Sequence, residues 1–128
     1  MPELPWKAGS SAPGEGAVVV MASRLELKSL RDVPAFLSAA MKIRKQMLAA
    51  PGCLGVSLIA QPLAKTFWTL SEWQDRAALD GTVPAEPHKS IMKRFRPKMA
   101  GSKFVFWDAT ASAGKPDWAE ARRRLEVG

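Results

Sequence analysis

The apolar residues of this chain fall into two alternating periods. The run Ala17-Val18-Val19-Val20-Met21-Ala22-Ser23-Arg24-Leu25-Glu26-Leu27 is continuously apolar in its first half and alternates in its second. That pattern predicts a central strand whose end reaches the edge of the core, with Ser23 turned inward beside Met21, Leu25 and Leu27. The period then lengthens. Phe36, Leu37, Ala40, Met41, Ile43, Met47 and Leu48 recur at helical spacing among Lys42, Arg44, Lys45 and Gln46, predicting one amphipathic helix of about fifteen residues. Asp32 and Pro34 fit its start, and Pro51-Gly52 its end.

Cys53 to Gln61 reads as a second strand, and Thr66 to Trp73 as its hairpin partner, rich in β-branched and aromatic residues. In the latter, Phe67, Thr69, Ser71 and Trp73 point to one face, while Thr66, Trp68, Leu70 and Glu72 point to the other. Asp75 is expected to cap a short helix through Leu79 that Gly81 breaks, and Pro84 and Pro87 to bend the chain into a second helical segment ending near Arg96. Lys103 to Trp107 is a fourth strand, and Pro116 to Leu125 a short C-terminal helix with Asp117 near its start and Arg122, Arg123 and Arg124 near its end.

This order of elements predicts an α+β protein, a ferredoxin-like four-stranded antiparallel sheet with helices on one face. Residues 1–16, rich in Pro, Gly and Ser, are expected to form a flexible N-terminal arm in which Trp6 packs somewhere; residues 17–110 form the domain, and 111–128 an extension with a short helix. The sheet's other face would then be open, with Met21, Trp68 or Trp73, and Phe104 or Phe106 upon it. Two such sheets packed face to face would hide these groups, so a homodimer is expected.

With 128 residues, 47% hydrophobic and 24% charged, the chain suits one globular domain. A single cysteine, Cys53, excludes an internal disulfide, and together with one histidine it cannot make a usual structural zinc site. A cytoplasmic location is the default, since neither a signal peptide nor a membrane span is evident. The net charge of +7 invites comparison with nucleic-acid binders, but no binding signature accompanies it. A solvated basic face, or a mouth attracting an anionic ligand, is the preferred reading. No glycine-rich nucleotide motif or paired-carboxylate signature occurs.

The strand VVVMASRLEL, the Pro-Gly before the second strand, the junction TFWTLSEWQDRAAL, the helix EPHKSIM and the strand FVFW together resemble the antibiotic biosynthesis monooxygenase family of the dimeric α+β barrel superfamily. The resemblance covers roughly residues 17–108. It implies a dimeric barrel with a hydrophobic pocket and a monooxygenase-type activity on an aromatic or polyketide-type substrate, often without metal or flavin. Another branch of the family degrades haem, using a helical histidine as the iron ligand, an asparagine on the first strand and a tryptophan ten residues before the histidine. His88 matches the histidine, whereas Ser23 and Ala78 stand at the other two positions; the carry-over is therefore a haem-binding alternative with His88 as axial ligand.

For cofactor-free chemistry the resemblance makes His88 the base or orienting group, with Ser23 and Arg24 holding the oxyanion. Trp68, Trp73, Phe104 and Met92 are the expected substrate-binding walls. The plain alternatives are a helix-starting histidine, a strand-end arginine and core tryptophans. A non-catalytic ligand-binding barrel is the third functional reading, with a small aromatic molecule as the partner in the first and third.

Overall fold

The computed structural model describes residues 3–9, 16–82, 85–86, 88–110, 116 and 118–127. The bend expected at Pro84 and Pro87, the helix start expected at Asp117, and arm residues 1, 2 and 10–15 lie outside these. Strands β1 (Glu3–Ala8), β2 (Ala17–Leu27), β3 (Cys53–Gln61), β4 (Thr66–Trp73) and β5 (Met99–Thr110) form one antiparallel sheet in the order β1-β3-β4-β2-β5. Helices α1 (Val33–Ala49), α2 (Arg76–Thr82), α3 (His88–Phe95) and α4 (Trp118–Val127) complete the described elements. Among the described residues no helix is long and apolar enough to cross a membrane.

The central four strands follow the expected ferredoxin-like order. The fifth strand is a difference. Residues 3–8, read as part of a flexible arm, pair with β3, and Trp6 lies on Gly55, where any Cβ would collide with the indole ring. A second difference is β5, which begins four residues before the predicted Lys103. Gly101, with open space around it, is accommodated at the exposed edge. Gly81 likewise sits inside α2 rather than breaking it; Asp75 caps that helix as expected, its carboxylate accepting from Ala78 N at 2.8 Å.

The alternation of β2 sorts the core. Leu25 and Leu27 pack with Val33 and Phe36 of α1, Phe67 of β4 and Phe95 of α3, where the Phe36 ring meets Phe67 at 4.8 Å and Phe95 at 5.0 Å. Met21 continues this side with Met47, Cys53, Val56, Trp73 and Leu79. Val20 and Ala22 face the opposite way. There they pack with Leu70, Trp107, and Ala121 and Leu125 of α4, flanked by Trp6, Trp68 and Trp118. The expectation of helices on one face and an open sheet on the other is therefore corrected: α4 covers the second face, because its apolar stripe matches the apolar even-numbered residues of β2. Met21, Trp73, Phe104 and Phe106 belong to the α1 side, and of the named aromatic groups Trp68 alone lies on the α4 side.

Candidate functional site

One row of paired residues crosses four strands on the α1 side: Leu58, Thr69, Ser23 and Phe104. All four line a cavity of about 50 Å³ roofed by α1 and α3. From α1 come Phe36, Ala40, Ile43, Arg44 and Met47, at the spacing that keeps one helical stripe facing the sheet. From α3 come His88 and Met92, four residues apart and so on one face.

The polar centre of this apolar hollow is small. Ser23, 1% exposed, shares a hydrogen bond with Thr69 across the β2–β4 pair. The His88 side chain is half-buried. Its backbone N–H donates to Gln46 Oε1 at 2.9 Å, while Gln46 Nε2 donates to Thr82 O at 3.1 Å and Ala85 O at 3.3 Å. One α1 side chain thus fastens the end of α2 and the start of α3, which sets where His88 enters the cavity. Glu86 caps the same helix, its carboxylate accepting from Ser90 N and Ser90 Oγ. Those bonds, first the side-chain one, hold Glu86 below the ordinary carboxylate range.

Of the residues expected to form the site, His88, Ser23, Phe104 and Met92 come together. Three do not. Arg24 lies on the sheet's other face because it is even-numbered on β2; it pairs with Glu26 at 3.2 Å and stands over Trp68 at 5.7 Å. Trp68 shares that face, donating to Gln61 Oε1 at 2.9 Å. Trp73 is on the α1 side but wholly buried in the cluster around Met21 and Leu79, with its Nε1 donating to Ser71 Oγ at 2.9 Å. Thr69 and Arg44 line the cavity without having been expected there. Alternation from Phe67 assigned Thr69 to the right face, and the stripe through Ala40 and Met47 passes Arg44, but neither periodicity signals which positions border an unfilled space.

The reach of the cavity limits what it holds. A volume of about 50 Å³ admits a functional group of a few atoms, whereas whole small-molecule pockets run to roughly 300 Å³ and more. Phe104, 44% exposed, stands where the rest of a ligand would meet the surface. A haem macrocycle does not fit inside this cavity.

The fold is shared with solved structures. A proposed antibiotic biosynthesis monooxygenase from Nitrosomonas europaea superposes with a TM-score of 0.65 at 15% identity, over 72% of this chain and 89% of the other. A proposed family member from Caulobacter crescentus gives 0.62 at 20% identity, over 74% and 91%. SnoaB, a cofactor-independent oxygenase from Streptomyces nogalater, gives 0.61 at 14% identity, over 72% and 92%. No curated protein sequence matches the chain. The sequence profile of the antibiotic biosynthesis monooxygenase family, however, matches residues 31–94, the span that carries α1, both hairpin strands and His88, and the chain belongs to that family.

Proposed function

We propose that this protein is a cofactor-independent oxygenase that draws the hydroxyl-bearing end of a flat aromatic or polyketide-type molecule into the cavity beside His88. The observation that carries this reading is the convergence of one imidazole and two hydroxyls, Ser23 and Thr69, inside apolar walls. His88 is the base that takes the proton, and the hydroxyls donate to the oxyanion left behind. The apolar walls keep water from competing for that anion. The anion's electron-rich carbon then adds molecular oxygen, forming a C–O bond. Loss of the remaining proton from that carbon, as the O–O bond breaks, gives a carbonyl and one water. One oxygen atom thus enters the substrate and the other leaves with two protons.

Oxygen uptake on an anthrone tests this. His88→Ala is expected to lower kcat by about a hundredfold or more, and Ser23→Ala by about tenfold. Full turnover in His88→Ala would exclude the base assignment. Ligand binding without oxygen uptake in the unaltered protein would favour a non-catalytic binding barrel instead.

The same reading includes a homodimer, supported by the exposed Phe104 and Phe106 on edge strand β5, 44% and 42% accessible, and a cytoplasmic location. Sedimentation of twice the 13.9 kDa chain mass is the expected result.

A further inference from the structure

We infer that Arg44 is the anion-recognising residue of the His88 cavity and that the molecule taken there carries a carboxylate on the end that enters first. This rests on the binding half of the reading above and adds the ligand's charge.

Arg44 lies on the α1 stripe between Ala40 and Met47 and borders two spaces. Inward it lines the cavity with Ser23, Thr69 and His88; outward it lines an open groove of about 580 Å³ with Lys7, Met41, Lys45 and Leu48. Its Nε is buried and has no hydrogen-bond partner. An N–H of a permanent cation, removed from water and left without an acceptor, is strongly unfavourable unless a ligand supplies one. Among the described residues the cavity lining offers no compensating charge, for no Asp or Glu belongs to it. Nor does Arg44 enter any of the ion pairs formed among the described residues, which engage Arg24, Arg76, Lys98, Arg123 and Arg124.

The size of the hollow sharpens the choice. About 50 Å³ admits a few atoms, so the hydroxyl of the reading above meets Ser23 and Thr69 while the carboxylate stays on the Arg44 side, which also borders the open groove. An apolar body would then rest outside against Met92 and Phe104. Guanidinium N–H groups bind planar carboxylates with geometry that an ammonium lacks. The surrounding excess of +7 favours the approach of such an anion from solution.

The test uses two probes of one shape, 2-naphthoate and the neutral 2-naphthamide, titrated into the full chain. Affinity is read by calorimetry, and position by the NMR signal of the sole histidine, His88. The expected result is naphthoate binding at least about tenfold tighter than the amide and shifting the His88 signal. Arg44→Gln should abolish that preference while leaving weak amide binding, Arg44→Lys should keep part of it, and Lys42→Gln should leave it intact. Equal affinity for both probes, no binding of either, or a preference that survives Arg44→Gln would overturn the assignment. Neither probe is oxidised, so carboxylate binding without turnover on an anthrone would remove the oxygenase reading and leave this one standing.

Discussion

The two faces of the sheet are built from the same strands, yet they have been put to different uses. On the α1 side, odd-numbered β2 residues set Ser23 between Met21 and Leu25, and the neighbouring strands add Thr69 and Phe104, so the packing leaves a hollow with polar groups at its middle. On the α4 side, Val20 and Ala22 meet Leu70, Trp107, Ala121 and Leu125 in one apolar cluster. The difference follows from what roofs each face. α1 and α3 together border the cavity, whereas the single helix α4 lies among Trp6, Trp68, Trp107 and its own Trp118. Tryptophan N–H groups on that side also find acceptors, as Trp118 does on Ser57 Oγ at 3.1 Å.

The largest effect should come from removing the second roof. A chain ending after Thr110 lacks Trp118, Ala121 and Leu125 and uncovers Val20, Ala22, Leu70 and Trp107. It is expected to lose at least about 4 kcal/mol of stability and to self-associate with rising concentration, as thermal unfolding and sedimentation would register. A melting temperature unchanged by the truncation would mean that α4 is not part of the core, and the contrast between faces would fail.

Among the described residues Cys53 is a buried ionisable side chain on the α1 side and Glu72 one on the α4 side, and the larger effect is on the α1 side. Burial pushes the Cys53 thiol from 9.0 up to about 11, with a smaller opposing effect from the Gly55 carbonyl contact. The folded state therefore favours the protonated thiol; the stability this adds is complete below pH 9 and is lost as pH rises through about 11. The loss should amount to about 3 kcal/mol relative to the pH profile of Cys53→Ala. No tyrosine is present to titrate in the same range, so only lysines form the background. Parallel profiles for the two proteins would refute the assignment.

A smaller loss, about 2 kcal/mol, is expected for Gln46→Leu, which leaves Thr82 O, Ala85 O and the His88 N–H without their shared partner. Hydrogen exchange should quicken at the His88 amide before it does in β2. Exchange unchanged at that amide would show that the start of α3 is held by something other than Gln46.

The contrast also explains what could be read in advance. The strand order, α1 and the inward turn of Ser23 were legible because periods of two and of three to four leave a direct trace in residue order. Residues 3–8 were not, since Leu4-Pro5-Trp6 has no alternation and its place depends on Gly55, far along the chain. Nor was the fate of α4 legible: PDWAEARRRL shows an amphipathic helix but not which surface it meets. The site was half legible for a related reason. His88 could be singled out as the sole histidine and Ser23 as the first polar residue of its strand, but Arg24 joins them only by adjacency in sequence, and on a strand adjacency means opposite faces.

The finest test concerns the ionisable group of the α4 side. Glu72 follows Ser71 on β4, points away from α1, and is only 5% exposed between Val20 on β2 and Gly55 on β3. Burial raises its carboxyl above 4.5, because leaving water penalises the charged form. The folded state therefore gains stability from the protonated acid that is complete below pH 4.5 and lost as pH climbs through the raised value. Above the raised value the ion is held in a nearly dry place, so Glu72→Gln, similar in shape and uncharged, should there raise stability by up to about 1 kcal/mol. At pH 4 the advantage should vanish, since the native side chain is then neutral too. A Glu72→Gln protein less stable at both pH values would mean that the carboxylate has a favourable partner on this face, and the α4 side would then hold a polar centre of its own.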